Sequence, residues 1–176
     1  MKIERIEEMR LTAADEAALA TLLDIAFRNV GFDGRSYFQN RHHVRFVVRD
    51  GAEIIGHMAL GLRAIRMGDE LVQAAGLAEV ATAPARRGEG IATALLQAVI
   101  AEAKASPADF LVLFGDAPLY AAAGFVAKPN QTLTISMHGV RTGVEERRTG
   151  DGLMVMQLRE IPWDDDAAID LVGFAF

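Results

Sequence analysis

The sequence predicts an α/β fold of the α+β kind. It reads as one domain over residues 1–176, with a mixed central sheet of about seven strands and about four flanking helices. Three observations carry this. Apolar runs joined by the turn signals Asp50-Gly51 and Gly68-Asp69 read as consecutive antiparallel strands. The last of these gives way, past Pro84, Gly88 and Gly90, to a long run of strong helix formers from Ile91 to Lys104. Beyond Ser106-Pro107, residues 109–115 form a short continuous apolar run, as in a strand covered on both faces. A chain of 176 residues, 51% hydrophobic and 24% charged, has the size and composition of one domain with a full core.

The elements follow in order. Residues 2–9 alternate loosely and predict an edge strand. Thr12 is placed to cap a helix over about 13–28, and Asp15, three residues on, completes an acidic capping box. Leu19, Leu22, Leu23, Ala26 and Phe27 share one face of that helix, and Gly31 ends it. Residues 31–41 form a loop or short helix carrying Phe32, Tyr37 and Phe38. Strands follow at 44–49 and 53–60, the second extending toward Arg66, and then at 71–82. Pro84 stops the last one, because proline cannot donate to a sheet ladder. Asp116 is placed to cap a short helix with Pro118 in its first turn and Gly124 at its end. Residues 132–137 and 153–158 predict two more strands, separated by a polar, turn-rich stretch. The tail holds Trp163-Asp164-Asp165-Asp166 and closes on an apolar run from Leu171 to Phe176.

The totals exclude several classes of function. A net charge of −6 argues against a nucleic-acid partner, which needs a basic face. The absence of cysteine removes disulfides, thiolate nucleophiles and cysteine metal sites. The four histidines lack the spacing of a helical zinc pair, so no metal is expected. No run of 18 apolar residues and no apolar leader is present, so the expectation is a cytoplasmic protein without a membrane partner.

The stretch Glu79 to Thr93 carries the chemistry. It is a strand, a Gly-rich turn and a helix start, where unpaired N–H groups and the helix dipole favour a phosphate. It lacks the Gly-Lys-Ser/Thr ending of a P-loop, and Thr93 stands where a dinucleotide fingerprint needs its third glycine. It does fit R-x-x-G-x-A, as Arg87-Gly88-Glu89-Gly90-Ile91-Ala92. A second motif, Leu119-Tyr120 followed by Gly124-Phe125, comes at the expected distance downstream. Together, over about residues 44–126, these motifs resemble the GNAT N-acetyltransferase superfamily. The order of the Asp50-Gly51 hairpin, the Gly-Phe element, a Gly-Leu-Met-Val strand at 152–155 and the Trp-Asp tail is more weakly similar to the aminoglycoside 2′-N-acetyltransferase branch. The tryptophan that ends that branch is unmatched, since Phe176 stands last.

The resemblance implies the GNAT fold with a splayed central strand pair, 79–82 and 109–115, and acetyl-CoA between them. Val80, Ala81 and Thr82 would run beside the pantetheine arm, with main-chain groups of Val80 and Thr82 pairing with it. The amides of Gly88, Gly90, Ile91 and Ala92, the Arg87 side chain and the Thr93 hydroxyl would hold the pyrophosphate. Glu89, an acid within that loop, should point outward, and Arg86 is either solvated or a ligand for the 3′-phosphate. Tyr120 matches the family tyrosine that faces the coenzyme sulfur, an acid for the departing thiolate. The Val80 N–H would polarise the thioester carbonyl.

Glu79 is the only ionisable residue between Glu70 and Arg86. A carboxylate in so apolar a strand should have a raised pKa, which suits a base. The expected function is therefore acetyl transfer from acetyl-CoA to a primary amine of a small molecule or peptide, directly and in a ternary complex, since no cysteine can carry the acyl group. The alternatives are an acyltransferase using a longer acyl-CoA or an acyl carrier protein, and a non-catalytic CoA-binding sensor. The resemblance also implies a homodimer formed through the last strands, with Phe174 and Phe176 available for it.

Overall fold

A computed structural model describes every residue except Asn29. The chain divides into two compact units. One comprises residues 1–60, 79–99 and 138–140, and the other 61–78, 100–137 and 141–176.

The first unit begins with strand β1 (Ile3–Glu7) and helix α1 (Ala13–Ala26). It continues with β2 (Val44–Asp50) and the first part of β3 (Glu53–Met67). The end of β4 (Glu70–Thr82) and the first turns of α2 (Ile91–Ala105) complete it. β1 is an edge strand, antiparallel to β2 from Ile3↔Val48 to Glu7↔Val44. β2 is antiparallel to β3, with a register shift between Val48 and Arg49. The Thr12 side chain accepts from the Asp15 N–H, and the Asp15 carboxylate accepts from the Thr12 N–H, so the expected capping box is formed. Leu19, Leu22 and Leu23 of α1 pack on Val47, Ile54, Ala81 and Phe32. A Cβ on Gly56 would lie 2.3 Å from Ile91, so the missing side chain is what lets α2 approach β3.

The second unit contains the remaining parts of β3 and β4, then β5 (Phe110–Phe114), α3 (Pro118–Ala122), β6 (Val126–Ala127), β7 (Thr132–Ile135), β8 (Glu145–Arg148), β9 (Leu153–Gln157) and β10 (Ile169–Asp170). Its strands run in the order β6-β9-β5-β4-β3-β10-β7-β8. β4 and β5 are parallel and pair only over Ala74–Gly76 and Phe110–Val112. β10 and β7 are also parallel, and β9 is antiparallel to β5. The core gathers Ile65, Val72, Ala74, Phe110, Val112, Leu153, Val155, Ile169 and Leu171. Trp163 meets Phe110 edge-on at 5.0 Å and donates its indole N–H to Asn130 Oδ1 at 2.9 Å.

Several expectations need correction. Among the described residues there are ten strands and three α-helices, against about seven and about four. The extra strands β6, β8 and β10 are short ladders of two to four residues, too brief to show a period. Residues 31–41 hold turns, the loop of the two alternatives, and α1 stops at Ala26 rather than near 28. The N-cap of α3 is Ala117, without a side-chain cap, so Asp116 does not cap it. Pro118 at the helix start already removes one of the donors a cap would satisfy. Phe174 and Phe176 are half-buried within the second unit, under the Arg63 guanidinium. Among the described residues no helix is long and apolar enough to cross a membrane.

Candidate active site

The Gly-rich turn is built by the chain's own conformational needs. Pro84–Arg86 wind one 3-10 turn, Arg87 is extended, and Gly88 and Gly90 adopt φ of +84° and +77°, which side chains resist. The Ala94 N–H donates to Gly90 O at 3.0 Å, so the amides of Ile91, Ala92 and Thr93 precede the first helical bond. A Cβ at Gly88 or Gly90 would meet no atom within 4 Å, so open space lies over both. Arg87 and Thr93 are exposed, while Ile91 is buried beneath the turn.

Arg86 Nη1 bonds Asp50 at 2.6 Å and its Nε bonds Glu89 at 2.8 Å. The Arg86 bond and charge hold the Glu89 carboxyl below its usual range. Glu89 is thereby tied back onto Arg86. Arg86 is held at the surface by the same two carboxylates. Donors, open space, glycine backbone and a free-standing arginine together fit a diphosphate.

Glu79 lies in β4 with φ +50°. Its carboxylate accepts from the Phe38 N–H at 2.7 Å and from Arg45 Nη1 at 3.1 Å. His42 Nε2 stands 3.2 Å from Glu79 Oε1. That separation suits a charge interaction, but its direction leaves Nε2 buried without a hydrogen-bond partner. Arg45 is fully buried and is also held by Glu8, at 2.7 Å and 3.1 Å. Glu8 takes Arg41 at 3.0 Å, and Arg41 reaches Glu16 at 2.6 Å. Ser36 donates to Glu16.

His57 is fully buried, with Nδ1 2.8 Å from Glu79 O and Nε2 3.2 Å from Arg45 Nη1. Burial, then the Arg45 charge, pushes its pKa down to about 3. It is a neutral ring that donates to the Glu79 carbonyl and accepts from Arg45, as expected of a satisfied core histidine. The expectation for Glu79 itself fails. Burial does press its pKa upward, but His42 and the Arg45 charge outweigh that, and it falls below the usual carboxylate value.

Sequence reasoning missed this surrounding cluster. In the sequence His42 is one of four histidines without metal-binding spacing, and nothing there pairs it with Glu79. The usable signal was Arg45, a lone charge inside the run Val44–Val48, which must be paired if that run is buried. Val80 and Thr82 are half-exposed and alternate with buried Ala81.

Tyr120 belongs to the second unit, on α3. It is buried, meets Phe125 edge-on at 6.0 Å, and lies where a Cβ on Gly115 would approach its ring to 3.0 Å. Burial, then the Asp116 charge, raises its pKa, so the phenol keeps its proton at neutral pH. Among the described residues no group of three or more potential ligands is arranged to hold a metal ion.

The acetyltransferase (GNAT) domain family matches residues 9–127, well over half of the chain. The chain is 30% identical over 164 residues to the mycothiol acetyltransferase of Clavibacter michiganensis subsp. michiganensis, covering 88% of this chain and 52% of that protein. It thus spans about half the length of the curated relative it matches. That relative is not of the aminoglycoside branch to which the tail is weakly similar. Similar solved structures include a GNAT family acetyltransferase from Brucella melitensis in complex with acetyl-CoA. It has a TM-score of 0.61 and 19% identity, over 96% of this chain and 94% of that one. A GNAT family N-acetyltransferase from Escherichia coli in complex with CoA has a TM-score of 0.65 and 18% identity, over 96% and 88%. The fold is the α+β arrangement with a mixed sheet that these proteins share.

Proposed function

The chain belongs to the GNAT acetyltransferase family, and from that premise we propose that it moves the acetyl group of acetyl-CoA to a primary amine of a small molecule or peptide, by direct transfer in a ternary complex. The observation that carries this is the turn at 87–93. It joins an exposed arginine, two left-handed glycines with open space over them, and the amides that precede the first helical bond. Acetyl-CoA, when bound, supplies an activated acetyl group. Gly88, Gly90, Ile91, Ala92, Thr93 and Arg87 would hold its diphosphate, with Glu89 withdrawn onto Arg86. Val80, Ala81 and Thr82 would run beside the pantetheine arm.

The chain's own groups then have separate tasks. The Val80 N–H donates to the carbonyl oxygen as charge develops there. Tyr120, kept protonated by burial, donates to the departing sulfur. Glu79 would take the acceptor's proton, directly or through water, and its neighbours bear on that task. The choice of acceptors to screen follows the curated relative: amines related to mycothiol come first.

The test is calorimetry with acetyl-CoA, followed by a thiol-release assay over an amine panel. Arg87→Ala and Gly90→Asp should each weaken acetyl-CoA binding about tenfold or more, by removing a charge-assisted contact or placing a carboxylate at a strained position. Wild-type affinity in both variants would remove the cosubstrate assignment.

A further inference from the structure

Acetyl transfer requires that the acceptor's ammonium group lose a proton before its nitrogen can attack. Glu79 alone is poorly suited to take it. Its carboxylate already accepts from the Phe38 N–H and from Arg45, and the neighbouring positive charge favours its ionised form. His57 is unsuited as well, since both ring nitrogens are committed, to Glu79 O and to Arg45.

His42 differs from both. Its side chain is 4% exposed, and its Nε2 lies 3.2 Å from Glu79 Oε1. That nitrogen is nevertheless buried without a hydrogen-bond partner, an arrangement folded proteins rarely leave without a use. A small turn of the ring would aim Nε2 at Oε1, where one shared proton would join the two.

The charges around the pair point the same way. Arg45 from β2 and Arg41 from the preceding loop are cationic. Glu8 from the turn after β1, Glu16 from α1 and Glu79 from β4 are anionic, and His57 from β3 is neutral. Two cations face three carboxylates in this connected cluster, which leaves one negative charge uncompensated. Glu8 already engages Arg45 through both of its oxygens, so the uncompensated charge falls on the Glu79 side, facing His42.

We propose that His42 and Glu79 form the proton-accepting pair of the reaction, with His42 Nε2 as the final holder of the acceptor's proton. This rests on the acetyltransferase reading above. The ammonium N–H bond breaks and its electron pair stays on nitrogen, which forms the new bond to the acetyl carbon. The proton reaches Glu79 Oε1 and crosses to His42 Nε2, leaving an imidazolium against a carboxylate. Arg45, fixed by Glu8, holds the carboxylate in place. His42 acts through Glu79 and is therefore a positioning and proton-holding residue.

Two measurements on the full chain test this. The first is the pH dependence of kcat/KM in the thiol-release assay, with acetyl-CoA and the fastest amine of the panel. His42→Gln should lower kcat about 100-fold at neutral pH, the scale of a lost acid–base group, while the KM for acetyl-CoA stays within about twofold. The inflection on the rising limb should disappear, and added imidazole should restore part of the rate to His42→Ala. A His42→Gln enzyme within about threefold of wild type at every pH overturns the proposal.

The second measurement needs neither acetyl-CoA nor an acceptor. Imidazole 15N NMR compares His42 in wild type and in Glu79→Gln at one neutral pH. The Nε2 resonance should move when the carboxylate that faces it is replaced. An unmoved Nε2 resonance overturns the pair, even if acetyl transfer is confirmed. Failure of acetyl-CoA to bind overturns the acetyltransferase reading and leaves the NMR result to decide the pair.

Discussion

Glu79 shows how a residue's identity can be legible while its state is not. A lone carboxylate in an apolar strand is visible in the sequence. Whether its pKa rises or falls depends on Arg45, His42 and the Phe38 amide, which come from 34 to 41 residues earlier in the chain. The linkage follows from the sign of the shift. The folded-state pKa of Glu79 lies below its unfolded value of about 4.5, so its stabilising contribution is complete above that value and is lost as pH falls through the folded one. Asp15, lowered by its Thr12 and Arg49 bonds against the effect of burial, adds to the same acid-side loss. Glu79→Gln should therefore be less stable than wild type at neutral pH, and its stability should fall less on acidification. Urea unfolding between pH 7 and pH 3 checks this, and parallel curves would contradict it. Tyr120 is the opposite case, legible from its motif and consistent in state. Tyr120→Phe should slow turnover about tenfold or more with little change in acetyl-CoA affinity, as expected when an acid is removed. An unaltered rate in the thiol-release assay would retire its acid role.

Elements were legible where local chemistry decides them. Thr12 and Asp15 specify a helix start within four residues, and the structure closes that box. Asp15 also receives Arg49 from β2, so the cap ties α1 to a strand as well as to itself. Thr12→Ala should cost about 1 kcal/mol in urea unfolding, the usual cost of a lost N-cap, and should raise the Asp15 pKa by removing the hydroxyl's bond to its carboxylate. No change in unfolding midpoint would mean that the Arg49 pairing alone holds the helix start. The turn at Gly88 and Gly90 was legible for the same reason, since its backbone needs are written in residue type. The cap of α3 was misread because Asp116 has the right chemistry one position too early. β8 carries Glu145-Glu146-Arg147-Arg148 and pairs with β7 alone, so no apolar face marks it.

Over the whole chain, the fold class was visible because hairpins, a strand-to-helix turn and one continuous apolar strand occur in a telling order. What was not visible is that each unit folds around a positive charge. The first encloses Arg45 and answers it with carboxylates. The second holds Arg63, largely buried, and answers it with aromatic faces: its guanidinium lies 4.8 Å from the Phe174 ring and 4.0 Å from that of Phe176, and it donates to Phe174 O. Burial draws its pKa down to about 10. Nothing in the sequence links Phe174 to the arginine that takes it up, because that arginine stands 111 residues away. Gly76 makes the arrangement possible. A Cβ there would lie 1.7 Å from the Phe176 ring, so β4 leaves a gap into which that ring is set. Gly76→Ala should displace Phe176, expose one face of the Arg63 guanidinium and destabilise the protein by about 1–3 kcal/mol, as overpacking does. Phe176→Ala should lose stability as well, through lost packing and a lost cation–π contact. The double variant should be less harmed than the two losses summed, because the ring that clashes is already gone. Additive losses in a urea double-mutant cycle would show that Gly76 and Phe176 do not meet.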